Sequence, residues 1–225
     1  MTFKFTASNL GYDTCPRTIW LKARGVQFPG GFSSAAIRAM EKTQHERFAK
    51  CESISSMCDE FPKGKVVSKN KRPSTLPLPI EGADVIVSGQ YNYLVKLANN
   101  DPSIEEYAVL GFKTSKPKDE NIDALTTQLN AIAYALENNK DHKDRVKVVQ
   151  LGIVIFDPNA FDAGEDFYQW LSIELNLDKF ESDLAEKVKI AMGPCPAYDG
   201  CDECTFVSTI ETLLFESAPT EPVTA

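Results

Sequence analysis

Tyr107 to Ser115 reads YAVLGFKTS. Its first six residues form a short apolar run, the pattern of a central strand covered on both faces, where no alternation with polar residues is needed. The run ends in Gly111-Phe112-Lys113-Thr114-Ser115, so a single cation stands where the strand leaves the core. Outward from this strand the pattern alternates in type. Val85 and Val87, then Tyr91, Tyr93 and Val95, alternate with polar or small neighbours around Gly89, which predicts a long bent strand or hairpin over Asp84 to Leu97. A helix is expected from about Asp123 to Asn139 on its length and its Ala and Leu content. Strands are expected at Val146 to Phe156 and Phe167 to Leu175, joined by the turn-rich DPNAFDAGED. An earlier helix, capped by Ser33 or Ser34, runs through His45 toward Cys51, and a last one, capped by Asp178, repeats Phe180, Leu184 and Val188 every four residues. The order helix, helix, strands, helix, strands, helix describes an α/β protein with a mixed central sheet flanked by helices.

Composition limits what such a chain can do. With 225 residues and 43% apolar content it can bury one sizeable core, so residues 1–210 are read as one domain and 211–225, with SAPTEPVTA, as a disordered tail. The longest apolar run, Val148 to Phe156, falls well short of a membrane span, and MTFKFTASN lacks the pattern of a signal peptide, so the expected location is the cytoplasm and no membrane partner is expected. Six cysteines in that setting are thiols or metal ligands rather than disulfides. The net charge of −8 excludes a protein that coats nucleic acid indiscriminately. Any DNA contact is local, at Arg17, Lys22 and Arg24, at KGKVVSKNKR from Lys63 to Arg72, or at Lys113, Lys116 and Lys118. The Lys63 to Arg72 run is also what a solvated loop looks like. Only His45 and His142 are present, which leaves few partners for a Cys-His or Ser-His catalytic pair, and neither a Walker loop nor G-x-G-x-x-G occurs.

Several segments, in order, resemble the RecB-like branch of the PD-(D/E)XK nuclease superfamily, whose iron-sulfur members include the CRISPR adaptation nucleases. ASNLGYDTCPRTIWLK resembles the first helix of that branch, and His45 in AAIRAMEKTQHERF stands where members carry a histidine. DVIVSGQYNYLVKL resembles the strand pair whose Gly-x-x-Asp supplies a metal carboxylate, with Gly89 at the glycine and Asn92 at the aspartate. GFK at Gly111 to Lys113 resembles the strand end that carries an acid, a variable residue and a lysine, with Gly111 at the acid. TTQLNAIAYALE resembles the next helix, with Gln128 at the family's glutamine and Ile132 at its tyrosine, although Tyr134 is close by.

The resemblance implies a nuclease fold and, if the site is active, Mg²⁺ or Mn²⁺. Carboxylates supply both ligand and charge to such an ion. With Asn92 and Gly111 at the two acidic positions, the expectation is a catalytically degenerate, DNA-binding member in which Lys113 and Gln128 persist and His45 is a weak ligand suited to Mn²⁺. Asp84, or a migrated Glu105, Glu106 or Glu137, would restore an acid. An active DNA nuclease that trims ends is then the alternative, and a structural subunit without a nucleic-acid role is the second. A protein partner in DNA processing fits the first reading.

In the iron-sulfur members one early cysteine joins three late ones around a 4Fe-4S cluster. Cys15, Cys195, Cys201 and Cys204 fit that division, but the late set reads C-x5-C-x2-C where the family has C-x2-C-x5-C, and Ile210 stands where the third would fall. A 4Fe-4S cluster, zinc and no metal all remain open. Cys51 and Cys58 read as buried small residues.

Overall fold

The computed structural model describes residues 1–12, 15–28, 35–50, 54–56, 58–99, 101, 103–114, 118–156, 168–198 and 200–216. Ser33, Ser34, Cys51, Lys116, the DPNAFDAGED turn and 217–225 lie outside the described residues. β1 (Thr2–Thr6) leads into α1 (Ala7–Tyr12) and α2 (Pro16–Ala23). Pro16 takes the first position of α2, where its missing N–H costs nothing, and Cys15 caps the helix by accepting the Thr18 N–H on its sulfur at 3.4 Å. Then come α3 (Ala35–Lys50), β2 (Gly64–Lys69), β3 (Leu78–Ile80), β4 (Ala83–Ser88), β5 (Tyr93–Leu97), β6 (Glu106–Lys113), α4 (Ile122–Glu137), β7 (Lys147–Phe156), β8 (Tyr168–Ile173), α5 (Leu177–Met192) and α6 (Asp202–Glu216).

The strands form two sheets, one ordered β1-β4-β3 and the other β2-β5-β6-β7-β8. In the larger sheet only β6 and β7 are parallel, and α4 makes the crossover that a parallel pair requires. The mixed sheet flanked by helices is therefore as expected. β6 carries core on both sides. Val109 packs with Leu129 and Ile132 of α4 and with Ile153, whereas Ala108, Leu110 and Phe112 pack with Phe48 of α3, Phe61 and Tyr93. Successive side chains of a strand point to opposite faces, so Gly111 and Lys113 fall on the α4 side.

Two expectations need correction. Asp84 to Leu97 is neither one strand nor a hairpin, because β4 pairs with β1 and β3, and β5 with β2 and β6. The chain crosses between sheets at Gly89 to Asn92, and the glycine allows it. A Cβ on Gly89 would stand 2.6 Å from Ile132 Cγ1 of α4 and 2.7 Å from Ala7 Cβ of α1. The second correction concerns the C-terminal end. Asn176, not Asp178, caps α5, its Oδ1 accepting the Lys179 N–H at 3.0 Å, while Asp178 lies in the first turn, where an acid complements the helix dipole. Nor is α5 the last helix, since α6 continues to Glu216, past the residue where the tail was expected to start.

The crossing makes a stability prediction. Gly89→Ala should destabilise the fold by about 1–3 kcal/mol through overpacking. Gly111→Ala, whose Cβ would meet nothing closer than 3.7 Å, should stay within about 1 kcal/mol of wild type. Urea denaturation of the two variants measures the difference, and equal midpoints would refute the close-approach role of Gly89.

Candidate functional site

The strand-crossing delivers Asn92 to the end of β6. Its side-chain oxygen accepts the Phe112 N–H at 2.9 Å, tying the crossing to the strand one residue beyond Gly111. Asn92, Gly111, Lys113 and Gln128 all line one small cavity of about 50 Å³, closed underneath by Leu125, Leu129 and Ile132. The structure thus brings together the four residues that the resemblance places at the catalytic positions. Gln90, Asn92 and Gln128 also line an adjoining groove of about 290 Å³, whose remaining walls include Thr6, Ser8, Ser88 and Arg72. Gln128 Nε2 donates to Ser8 Oγ at 3.4 Å across that groove. Arg72 is the addition that the sequence placed only in a basic run. Its signal was adjacency to Pro73, which fixes where the run meets the crossing through Gly89 N–H donating to the Pro73 carbonyl at 3.2 Å.

Lys113 is half-buried, and burial holds its ammonium below the ordinary lysine range, with the Glu41 carboxylate pulling the other way. Glu41 acts likewise on His45, one helical turn further along α3. The Glu41/His45 spacing of four residues on a predicted helix was a readable signal for a shared face. His45 itself faces the opposite side of β6 from the small cavity. Its ring lies 5.2 Å from Phe112 and 5.6 Å from Tyr93, and its Nδ1 is 2.7 Å from the Tyr93 hydroxyl. Burial lowers its pKa first, Glu41 raises it and Lys69 lowers it.

The candidate replacement acids sit elsewhere. Glu106 pairs with Lys147 at 3.1 Å and Glu105 with Lys96, both at the start of β6. That is about 23 Å from Lys113 along an extended strand. Glu137 accepts the Val148 N–H at 3.0 Å, and Asp84 is exposed in the smaller sheet, opposite Thr2. None of these carboxylates lines the cavity or the groove. Of the predicted basic contacts, Lys118 is exposed just before the turn at Asp119–Asn121, and Arg17 lies on α2, outside the cleft lining.

Three of the four predicted cysteines converge. Cys15, Cys201 and Cys204 sulfurs all lie within 4.8 Å of one another, with Cys15 and Cys204 at 3.4 Å. The Cys204 N–H donates to Cys201 Sγ at 3.4 Å, and Thr18 Oγ1 lies 3.4 Å from the same sulfur. Burial would push the Cys201 thiol up, but hydrogen bonds from Thr18, the Cys204 amide and the two neighbouring thiols bring it down overall. Cys204, fully buried, is pushed up to about 12 by burial first and by the Cys15 and Cys201 thiols second. Cys195 is exposed and turned to the Pro196 carbonyl at 3.6 Å, outside the trio. Cys58 is half-buried.

No protein-family model and no curated protein matches the chain. Among solved structures it is similar to a protein named SSO0001, with 12% identity, 91% of this chain and 84% of that one covered, and a TM-score of 0.45. It is also similar to LHK-Exo, an alkaline exonuclease from Laribacter hongkongensis, at 14% identity, 94% coverage of each chain and a TM-score of 0.45. LHK-Exo in complex with dAMP gives 13% identity, 94% coverage of each chain and a TM-score of 0.42. Likeness at this level assigns neither family nor activity to the chain. Among the described residues no helix is long and apolar enough to cross a membrane.

The aromatic seat of His45 makes a pH prediction. The unfolded chain takes up a proton at this histidine near the ordinary value of 6.5, and the folded chain only at lower pH. The stability contributed by neutral His45 is therefore complete above that value and lost as pH falls through the folded pKa. An NMR titration of the His45 ring should give a midpoint below 6.5. His45→Gln should flatten the loss of stability between about pH 7 and about pH 5, and an unchanged slope would disprove the assignment.

Proposed function

We propose that this chain is a RecB-like PD-(D/E)XK nuclease-fold protein that binds DNA through its phosphates at the end of β6 and does not cleave it. The observation that carries the proposal is the composition of the cleft. Lys113 lies in it with Gln128, and Arg72 lies in the adjoining groove, while the two positions that should hold metal carboxylates are an amide and a glycine. A hard divalent cation binds through anionic oxygens in near-octahedral geometry. Asn92 offers a neutral oxygen already engaged by the Phe112 N–H, and Gly111 offers nothing. The cleft chemistry that remains suits an anion: two cations, three amides and the hydroxyls of Thr6, Ser8 and Ser88. With a net charge of −8, affinity is confined to this patch and falls steeply with salt.

One observation favours an active enzyme. Glu41 of α3 acts electrostatically on Lys113, which leaves one carboxylate whose charge reaches the cleft, whereas His45 faces the other side of β6. The second part of the proposal is a metal centre at Cys15, Cys201 and Cys204, which joins the N-terminus of α2 to the start of α6. The resemblance implies a 4Fe-4S cluster there, with Cys195 as fourth ligand.

The test is incubation with single- and double-stranded DNA in Mg²⁺ or Mn²⁺. Wild type should bind without cutting, and Lys113→Ala should weaken binding about tenfold, or about 1.4 kcal/mol. The double variant Asn92→Asp, Gly111→Asp, whose Cβ at position 111 would meet nothing closer than 3.7 Å, should gain Mn²⁺ binding by thermal shift. Wild-type cleavage abolished by both Lys113→Ala and Glu41→Gln would replace this function with the active reading. Binding that is indifferent to salt and to Lys113 would leave only a structural role.

A further inference from the structure

We infer that Cys15, Cys201 and Cys204 hold a single tetrahedral metal ion, Zn²⁺, and not the 4Fe-4S cluster that the family resemblance implies. The sulfur spacing decides between them. In a zinc-thiolate centre with bonds of about 2.3 Å, the tetrahedral angle sets neighbouring sulfurs about 3.8 Å apart. The three sulfurs here lie within 4.8 Å of one another and the closest pair is at 3.4 Å. In a four-iron cluster each thiolate binds a different iron from outside, so irons and sulfides stand between the thiolates and no two touch. Three sulfurs within 4.8 Å of one another stand too close for that cube to lie between them but surround a point one ion can occupy.

The surroundings suit a small closed site. Cys15 caps the eight-residue α2, and Cys201 immediately precedes the fifteen-residue α6, so two helix N-termini converge on the sulfurs. Their N–H groups are already directed there: Thr18 N–H to Cys15 Sγ and Cys204 N–H to Cys201 Sγ, both at 3.4 Å. Three thiolates around one dication leave an excess negative charge, and these N–H groups and helix ends offset it. The Cys201-x-x-Cys204 spacing is common to zinc and iron-sulfur sites and marks a metal site without choosing between them. Cys15 and Cys204 are buried, as in structural zinc sites, which exclude solvent. A tetrahedral ion takes a fourth donor, which a water supplies unless Cys195, now turned to the Pro196 carbonyl outside the trio, swings inward. The departure from the family's C-x2-C-x5-C spacing then has a physical meaning, because the late cysteines are arranged around an ion rather than a cube.

This inference rests on reading the three thiols as a metal site and is independent of DNA binding. The full chain, purified anaerobically without added metal, is assayed for metals by mass spectrometry and for acid-labile sulfide. About one zinc per chain and no sulfide is the expected result. Chelation should lower the melting temperature and Zn²⁺ should restore it, and Co²⁺ in its place should give the intense visible bands of a tetrahedral cobalt thiolate. Cys201→Ser, at the half-buried position of the trio, should lose the cobalt bands while the chain stays folded by circular dichroism. Iron and labile sulfide in about fourfold amount would overturn zinc while keeping the metal site. A chain that takes up no metal even with added Zn²⁺ would overturn both. DNA affinity, measured on the same preparations, reports separately on Lys113.

Discussion

β6 is hydrogen-bonded along both edges and covered on both faces, and the rest of the site follows from that confinement. β5 runs against it from Tyr93 to Lys96 and β7 beside it from Lys147 to Ile155, and Ala108, Val109 and Leu110 have no exposure at all. Such a strand can present chemistry only where it ends. The parallel β6 and β7 also force α4 back across the sheet, so the N-terminal half of α4, with Gln128, lies beside the emerging Lys113. Ligands of α/β sheets bind at the carboxyl ends of parallel strands for this reason. The crossing at Gly89 completes the arrangement, because close packing against Ala7 and Ile132 directs Asn92 onto the Phe112 N–H.

Most of this framework was legible in the sequence because it is written in local periodicity. β6, α4, β7 and α5 each carry a run or a stripe that fixes element type, and the ordered motifs point to Asn92, Gly111, Lys113 and Gln128, which line one cavity. The partition of strands into two sheets was not legible. Alternation around Gly89 is the same whether the chain turns back on its own strand or moves to another sheet, and only contacts from distant α1 and α4 decide. Arg72 was hidden for a related reason, since a basic loop is read as solvated until its neighbour Pro73 is seen to pack against the crossing. The cysteines were legible by type and not by orientation: spacing placed Cys195 with the others, whereas the loop after α5 turns its sulfur to a carbonyl. α6 was lost because the polar, proline-containing end of the chain masked the helical residues before it.

The pairing of an amide with a glycine has a consistent electrostatic effect at the end of β6. Aspartate at position 92 could accept the same Phe112 N–H, so the amide preserves the link between crossing and strand while removing a charge. A carboxylate beside half-buried Lys113 without a metal would compete for the ammonium, and in a partly desolvated cleft that competition is strong. An incoming phosphate would then have to displace a partner already in place. With Asn92 and Gly111 the cation is instead held in a site whose burial disfavours its charge, and an anion relieves that cost when it binds. On the function proposed above, a cleft with an amide and a glycine at these two positions would hold a phosphate directly rather than through a metal, and Glu41 of α3 is the carboxylate whose charge acts on Lys113 there.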